Sequence, residues 1–252
     1  AFLEESPLPG VCGRVCNHKC EEACTRGADG HEAVNIMHLK RFVTDWAFAH
    51  PEEVQKAYAA GMQKSPDTTG LGKKVAIIGA GPDGLTAAND LVAKNYGVTV
   101  FEALPVAGGM MRVGIPEYRL PYDLLQKEVD EIVSQGVELK LNSRVDDVAG
   151  LLGEYQAVFV ATGAHVGLKT GIPGNDLPDV LVATDFLRSV SLRDASANLS
   201  IVKDKRVLVL GGGNVAVDAA MSSVRLGASW VGMTCLEGEG KMLAHDWEVR
   251  DC

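Results

Sequence analysis

The feature that most constrains the fold of this chain is a glycine-rich turn between two short apolar segments. An apolar run at 75–78 leads into the turn GAGPDG at 79–84, a helix-like stretch follows at 85–95, and a second apolar run at 98–101 ends in Glu102. Strand, G-x-G-x-x-G, helix, strand and acid, in this order, form the dinucleotide-binding fingerprint. The stretch therefore predicts a parallel α/β unit that binds a dinucleotide, rather than a glycine-rich turn in an ordinary α/β domain.

Each residue of the turn has a physical reason to be there. Gly79 permits a tight turn, Gly81 leaves room for a pyrophosphate beside the backbone, and Gly84 lets the helix pack close to the strand. The start of the helix offers unpaired N–H groups and a partial positive charge to the phosphates. Glu102 is positioned to accept hydrogen bonds from a ribose diol. Asp83 is unusual because it puts a carboxylate in the turn, and we expect it to point outward and to cap the helix.

The same pattern occurs a second time near the end of the sequence. An apolar run at 207–210 leads into GGGNVA at 211–216, followed by a helix-like stretch to Leu226 and a predicted strand at 231–236 that ends at Glu237. Alanine replaces the third glycine of the motif, which still allows close packing of the helix. Two such units predict two bound dinucleotides, and the alternative is a second unit whose site is empty.

The six cysteines are unevenly distributed. Four of them follow the pattern C-x3-C-x3-C-x3-C, namely Cys12, Cys16, Cys20 and Cys24. A secreted disulfide scaffold would not be arranged in this way in a chain of this size, so the cluster predicts a reducing, cytoplasmic compartment and a metal site. On one straight helix the four would extend over about 18 Å, which is more than a cubane cluster spans. Either the chain folds back, at Gly13 or Asn17, or the thiolates are divided between two clusters.

The chemistry of four thiolates leaves more than one metal open. They suit a [4Fe–4S] cluster, and they also suit a structural zinc ion. Unligated cysteines are the third alternative. The dinucleotide site downstream favours iron–sulfur, because a flavin and an iron–sulfur cluster form an electron path, whereas a flavin and a zinc ion do not.

Composition and charge exclude several other classes of protein. The chain of 252 residues is 46% hydrophobic and 23% charged, which is ordinary for a soluble globular protein. Its net charge of −9 argues against nucleic acid as a partner. No apolar run approaches the roughly 18 residues that a membrane span requires. The length is sufficient for more than one domain.

The pattern of elements divides the chain into three predicted domains, at 1–69, 70–170 and 171–252. The first holds the cysteines and a predicted amphipathic helix at 35–49, whose apolar residues recur at helical spacing and should cover another element. A linker is predicted at 64–72 from its composition. The two later domains each begin with a dinucleotide fingerprint.

A series of motifs occurs in one order along nearly the whole chain. They are PGVCGRVCNHKCEEACTRG, VNIMHLKRF, GAGPDGL, GGMMRVGIPEYRLP, FVATGA, GIPG and GGGNVAVDAA. In this combination the chain resembles the family of the small (β) subunit of glutamate synthase. The flavin domains of dihydropyrimidine dehydrogenase and the large subunit of NADH-dependent ferredoxin:NADP oxidoreductase also belong to that family. The resemblance implies a small α-helical iron–sulfur domain followed by two Rossmann-like α/β domains, one for FAD and an inserted one for NAD(P).

The resemblance also implies which residues hold each cofactor. FAD would be bound by Gly79, Gly81, Pro82, Gly84, Glu102, Gly109, Arg112, Val145, Ala161, Thr162 and Gly163. NAD(P) would be bound by Gly211, Gly213, Asn214, Val215, Ala216 and Glu237. The [4Fe–4S] cluster would be ligated by Cys12, Cys16, Cys20 and Cys24, with the thiolates on one cluster or shared between two. Relatives that use NADP carry an arginine pair where this chain has Leu236 and Glu237. A carboxylate suits a free ribose diol, so NAD(H) is favoured over NADP(H).

The function that the resemblance implies is electron transfer between NAD(P)H, FAD and the cluster. The electrons would pass to or from another redox subunit of a hetero-oligomeric complex, such as a ferredoxin-like protein. The cofactors carry the chemistry, so no side chain is predicted to be catalytic. The alternatives are an electron-bifurcating subunit and a docking subunit with an idle nucleotide site. The family continues well past the last residue here, so we expect the chain to be part of a longer subunit, with an incomplete second dinucleotide unit.

Overall fold

The computed structural model describes residues 6–61, 68–193, 201–238 and 240–250. Positions 64–67 of the predicted linker lie outside these residues. The chain divides into two compact units. The first comprises Ala1–Met111 with Tyr118–Gly163, and the second comprises Arg112–Glu117 with Ala164–Cys252. Within the described part of the chain, no helix combines the length and the apolar character that crossing a membrane would require.

Five helices come first among the described residues of the first unit. They are α1 Pro9–Val15, α2 Lys19–Glu22, α3 Thr25–Ala28, α4 Ile36–Ala49 and α5 Pro51–Gly61. Helix α1 packs closely on α4, because a Cβ on Gly13 would lie 2.8 Å from the Cα of Arg41. The predicted helix at 35–49 is therefore present, but its expected burial was wrong. The apolar stripe of α4 is exposed (Phe42 is 67% exposed), and its one buried residue is Thr44. Gly13 of α1 packs against the backbone of Arg41, so the side of α4 that contacts α1 is not its apolar stripe.

The first dinucleotide unit is a four-stranded parallel sheet with the order β3-β2-β1-β4. Its elements are β1 Lys74–Ile78, α6 Pro82–Val92, β2 Gly97–Phe101, α8 Tyr122–Ser134, β3 Glu138–Lys140, a short 3₁₀ turn Gly150–Gly153 and β4 Ala157–Val160. Helix α7, Met110–Val113, begins in the first unit, and its last two residues belong to the second. Val75 of the central strand pairs with Val98 on one side and with Ala157 on the other. Residues 75–78 are buried, as expected for a parallel strand covered on both faces.

The second unit contains α9 Ala183–Leu192, β5 Arg206–Leu210, α10 Asn214–Arg225, β6 Trp230–Thr234 and α11 Asp246–Arg250. Its two strands are parallel. A core formed by Phe186, Leu187, Val209 and Ala220 joins α9 and α10 to the sheet. The other face of β5 is open, and Leu208 is 57% exposed. The α/β class and the helical region in front of it are thus confirmed.

The predicted strand at 231–236 was two residues too long, because β6 ends at Thr234. The backbone explains the difference. The N–H of Gly211 donates to the carbonyl of Thr234 at 2.8 Å, and beyond this bond β5 turns into the glycine-rich loop. Among the strands that the structure describes, none remains to pair with Cys235 and Leu236. Glu237 therefore lies in a turn after the sheet rather than at the end of a strand.

Candidate functional site: two dinucleotide turns and a cysteine region

The first turn requires glycine for steric reasons that the structure makes explicit. Gly79 has φ +108°, and a Cβ there would overlap the carbonyl oxygen of Ala161, just past the end of β4. A Cβ on Gly84 would overlap the carbonyl oxygen of Gly79 and would lie 3.2 Å from Ile77 Cγ2. The turn is therefore held tightly between β1, α6 and the end of β4.

A second glycine loop lies against this turn. Gly109 has φ +53°, and a Cβ on it would be 2.7 Å from the Cα of Gly81. The N–H of Gly108 donates to the carbonyl of Ala80 at 2.8 Å. Two predicted FAD residues that are distant in sequence, Gly81 and Gly109, are thus adjacent. Because neither Gly81 nor Gly109 has a side chain, their backbone atoms can be approached closely, as binding of a pyrophosphate requires.

Glu102 lies at the same turn. Its side chain is buried, at 7% exposure, and Oε2 accepts the N–H of Ala80 while Oε1 accepts the N–H of Leu104, each at 2.8 Å. A carboxylate has about four lone-pair sites, so capacity for ribose hydroxyls remains. Asp83 is exposed in the first turn of α6, which confirms its outward orientation. Its predicted capping role was wrong, because Gly81 is the N-cap and no side chain caps the helix.

The remaining predicted FAD residues of the first unit lie after β4, near the backbone of Glu102, or at the start of α6. Ala161 and Thr162 directly follow β4 and lie against Gly79, while Gly163 has φ +65°. Val145 follows a segment whose Ser143 N–H donates to the carbonyl of Glu102 at 2.8 Å. Pro82 is the first residue of α6.

Arg112 differs from the rest, because it belongs to the second unit. There its guanidinium donates to the hydroxyl of Ser191 on α9 at 2.8 Å. The structure therefore accounts for this side chain by a contact outside the first turn.

The second turn is more open than the first. Gly211 has φ +132°, and a Cβ there would lie 3.5 Å from the Cβ of Ala216, which is an ordinary contact. A Cβ on Gly213 would meet no described atom within 4 Å. Asn214, the first residue of α10, accepts the N–H of His245 at 3.0 Å through Oδ1, which ties the turn to the segment before α11. Val215 follows it and is half exposed.

Glu237 faces the second turn although it lies outside the strand. Its Oε2 would be 3.2 Å from a Cβ on Gly212, and the sulfur of Cys235 would be 3.1 Å from the same point. Glu237 is thus close to the glycine loop, as predicted. Cys235 was not predicted as part of this site. Its position two residues before Glu237, the predicted nucleotide-binding acid, was the signal that could have identified it.

The four clustered cysteines lie along three short helices. Cys12 is in α1, Cys16 follows its last residue, Cys20 is in α2, and Cys24 is the N-cap residue of α3. The chain leaves the helical path at 16–18, where His18 has φ +37°. The expected break is therefore beside Asn17 and not at Gly13, which remains in α1. The backbone turns sharply here, and the N–H of His18 donates to the sulfur of Cys16 at 3.4 Å.

The donor set fits the chemistry of an iron–sulfur cluster. All four thiols are free of disulfides. Backbone N–H groups of Val34, Arg26 and Gly27 lower the pKa of Cys24, which favours the thiolate that binds metal. Burial raises the pKa of Cys12, and the charge of Lys40 partly offsets this. Among the described residues, however, no three cysteine, histidine or acidic side chains converge on one point that could hold a metal ion.

Glu128 is a functional candidate that the sequence analysis missed. It lies on the apolar face of α8 with Leu124, Leu125 and Val129, and it is fully buried. Its carboxylate accepts the backbone N–H groups of Gly10 and Val11. Burial raises its pKa to about 7, against the effect of these two donors. A charged residue within an apolar helical stripe was the available signal.

Two family models match the chain. Residues 73–252 match the pyridine nucleotide-disulphide oxidoreductase model. Residues 1–52 match dihydropyrimidine dehydrogenase domain II, described as a 4Fe-4S cluster domain. The first match begins one residue before β1 and includes both dinucleotide turns. The second includes all four clustered cysteines.

Several curated proteins are similar over nearly the whole chain. The β subunit of an NADP(+)-dependent formate dehydrogenase of Moorella thermoacetica is 44% identical, over 98% of this chain and 37% of its own length. The glutamate synthase [NADPH] small chain of Escherichia coli K12 is 33% identical, over 98% of this chain and 53% of its own length. The PreT subunit of the NAD-dependent dihydropyrimidine dehydrogenase of Salmonella typhimurium is 37% identical, over 94% and 54%. The chain thus spans between about a third and about half of these relatives.

Solved structures show the same fold. Mycobacterium tuberculosis FprA in complex with NADPH matches with a TM-score of 0.60 and 24% identity, over 71% of this chain and 46% of that one. The resemblance to the glutamate synthase small subunit is confirmed by the relatives, and the expected FAD, NAD(P) and iron–sulfur modules are confirmed by the two family models. With more than half of its residues matched by the model, the chain belongs to the pyridine nucleotide-disulphide oxidoreductase family.

Proposed function

We propose that this chain is the flavin- and cluster-bearing part of an electron-transfer oxidoreductase. It would move electrons between a nicotinamide dinucleotide, FAD and an iron–sulfur centre, and from there to or from a partner subunit. The observation that carries the proposal is the presence of two dinucleotide turns, each with a carboxylate beside it, and four free thiols in one chain. When bound, the flavin would exchange two electrons with the nicotinamide and single electrons with the cluster.

The first turn would hold FAD. Gly81 and Gly109 leave bare backbone for the pyrophosphate, and the first N–H groups of α6 face outward from the N-cap glycine. The remaining lone pairs of Glu102 would accept the ribose hydroxyls. Its bonds to Ala80 and Leu104 fix the carboxylate before the ligand arrives. The other residues proposed to contact FAD are Pro82, Gly84, Arg112, Val145, Ala161, Thr162 and Gly163.

The second turn would hold the nicotinamide dinucleotide. The space above Gly213 is open, and the N-terminus of α10 lacks a capping side chain, so its N–H groups are available to phosphate. We propose that Glu237 accepts the hydroxyls of the adenosine ribose and repels a 2′-phosphate. This favours NAD(H). Two relatives carry NADP(+) or NADPH in their names and a third carries NAD, so the measured ratio of NADH to NADPH activity decides this point.

The clustered cysteines would ligate iron–sulfur, on one cluster or divided between two. The match of residues 1–52 to a 4Fe-4S cluster model supports this assignment over zinc. The relatives are named as subunits or as a small chain. We therefore propose that this chain works with a second redox subunit, such as a ferredoxin-like protein, inside a reducing, cytoplasmic compartment.

The proposal is tested on the natural complex, purified without oxygen. Flavin and iron are measured first, and the protein is then titrated with NADH and, separately, with NADPH while the flavin absorbance is recorded. We expect bound FAD, iron with acid-labile sulfide, and bleaching by at least one nucleotide. Flavin and iron without bleaching by either nucleotide would instead identify a docking subunit with an idle second site. Protein without flavin and iron would refute both functions.

A further inference from the structure

Helix α1, which carries Cys12, begins in an unusual way. The first turn of a helix has backbone N–H groups without partners inside the helix. In α1 the first residue is Pro9, which has no N–H, and the flanking residue Leu8 offers no capping side chain. The N–H of Cys12 already donates to the carbonyl of Leu8 at 3.1 Å. Gly10 and Val11 are therefore the two donors at this end that need an acceptor from another element.

Both donors are satisfied by a single side chain from the first dinucleotide unit. Glu128 of α8 accepts the N–H of Gly10 through Oε1 and the N–H of Val11 through Oε2, the latter at 3.1 Å. The carboxylate is 0% exposed. Hydrogen bonds to an ionised group are about twice as strong as neutral ones, and removing the acceptor would leave buried donors unpaired. The start of the cysteine helix is thus fixed by a helix that lies 118 residues further along the chain.

The fit at this contact leaves no spare room. A Cβ on Gly10 would lie 2.9 Å from Oε1 of Glu128 and equally close to a methyl group of Leu124. The other end of α1 is fixed separately, because Arg14 forms an ion pair of 2.7 Å with Asp45 of α4. Helix α1 therefore contacts both the helical region and the dinucleotide unit, and Glu128 accepts the hydrogen bonds that join it to the dinucleotide unit.

We propose that Glu128 is the positioning residue that attaches the Cys12 helix to the flavin-binding unit and so sets the geometry and the charge environment of the iron–sulfur centre. The inference rests on the proposed function, in which Cys12 is a cluster ligand. The carboxylate of Glu128 accepts the N–H of Val11, the residue next to Cys12, so its charge lies close to the start of the cysteine region. The other charges facing Glu128 are those of Glu131 and Arg14.

The test uses the complete natural subunit in three forms: wild type, Glu128→Gln and Glu131→Gln. Glutamine keeps the shape and one acceptor oxygen, but it turns an N–H₂ group toward one of the two backbone donors. Glu131 is an exposed carboxylate on the same helix, so Glu131→Gln removes the same charge without touching α1. The measurements are the rate of iron release to a chelator, the EPR spectrum of the reduced protein, and the midpoint potential of the cluster at pH 8.5.

We expect Glu128→Gln to release iron at least tenfold faster than wild type, with unchanged FAD content and an altered EPR line shape. Loss of a negative charge favours the reduced cluster, so the reduction equilibrium should rise at least threefold, which is about 28 mV for a one-electron couple. Glu131→Gln should stay within twofold of wild type in iron release. If Glu128→Gln does not fold, Gly10→Ala disturbs the same contact from the side of α1 and should change the same three readouts.

Two results would overturn the inference alone. In the first, Glu128→Gln matches wild type in iron release, spectrum and potential. In the second, it unfolds at a lower temperature but keeps the wild-type spectrum and potential, which would make Glu128 a purely structural residue. A wild-type protein that binds no iron is a different outcome, because it refutes the proposed function from which this inference starts.

Discussion

The two dinucleotide turns of this chain have nearly the same sequence pattern and quite different surroundings. At the first, β4 ends against Gly79, and the acid Glu102 is buried and bonded to the loop. At the second, no strand of the described part of the chain closes on Gly211, and the acid Glu237 lies in a partly exposed turn. The motif therefore specifies the backbone path of the turn. The neighbouring elements determine how much a substitution in the turn lowers the free energy of unfolding.

The sheets differ in the same way. Strand β1 has a partner on each side, and its side chains are buried on both faces. Strand β5 pairs with β6 alone among the described strands, and Leu210 is 51% exposed. A parallel sheet is stable when both faces are covered. We therefore expect substitutions in the first turn to affect folding and flavin binding together, and substitutions in the second to affect nucleotide binding alone.

The largest expected contrast is between Gly79→Ala and Gly211→Ala. Both residues have positive φ, so each alanine costs about 1–3 kcal/mol in backbone strain. At Gly79 the new methyl group would also overlap the carbonyl of Ala161, whereas at Gly211 it would make an ordinary contact with Ala216. Overpacking of this kind adds about 1–3 kcal/mol. The measurement is the urea unfolding of both variants, monitored by circular dichroism and by flavin fluorescence.

We expect Gly79→Ala to lose bound flavin and at least about 2 kcal/mol more of the free energy of unfolding than Gly211→Ala. Gly211→Ala should keep its flavin. Equal losses in the two variants would show that β4 does not restrict the first turn, and the comparison of the two sites would then fail at its strongest point.

The second contrast is between the two acids. Glu102→Gln replaces one acceptor oxygen by an N–H₂ group that faces a backbone donor, at a buried site where both oxygens are used. Leaving a buried donor unsatisfied costs about 1–3 kcal/mol. Glu237→Gln changes a partly exposed side chain, and such substitutions usually stay within about 0.5 kcal/mol. Unfolding in urea and flavin content measure the difference. A flavin-replete, fully stable Glu102→Gln protein would contradict the buried, bonded role of this carboxylate.

The third prediction concerns nucleotide choice. Glu237→Arg replaces a charge that repels a 2′-phosphate by one that attracts it, so the ratio of kcat/KM for NADPH to that for NADH should rise at least tenfold, which is about 1.4 kcal/mol. Glu154→Arg is the matched control, because it makes the same change of charge at an exposed residue beside the 3₁₀ turn of the first unit. An unchanged ratio in Glu237→Arg would mean that Glu237 does not face the ribose.

Sequence alone predicted the parts of the molecule that local chemistry determines. The glycines of both turns, the outward position of Asp83 and the adjacency of Glu102 to its turn follow from the fingerprint and from the geometry of a strand followed by a helix. The end of β6 did not, because it depends on where the backbone of β5 stops offering a partner to Thr234. The path of the cysteine region was predicted only as a choice between a chain that folds back, at Gly13 or Asn17, and thiolates divided between two clusters.

Contacts between distant segments were beyond the reach of local patterns. The side of α4 that packs on α1 is decided by Gly13, which must fit against the backbone of Arg41. The role of Glu128 depends on a helix that begins with Pro9 and lacks a capping side chain. Neither fact is visible from the periodicity of a single helix. Both can be recognised only when the contact between the two helices concerned is known.

The smallest expected effect comes from two opposite substitutions at the second residue of the helix that follows each dinucleotide turn. Asp83 occupies this position in α6, and the half-exposed Val215 occupies it in α10, whose first turn has no acid. A carboxylate near a helix N-terminus stabilises the helix by about 0.3–1 kcal/mol at low salt, and it opposes a phosphate at the same place. Asp83→Asn should therefore lower the stability of the flavin-free protein by about 0.5 kcal/mol while tightening FAD binding about twofold. Val215→Asp should do the reverse at the other turn, with a more stable protein and weaker binding of the nicotinamide dinucleotide.

Repeating the measurements at 1 M salt, where the screening length is about 3 Å, should remove most of both differences. If stability and affinity instead move in the same direction in either variant, the helix N-terminus at that turn does not face the phosphates.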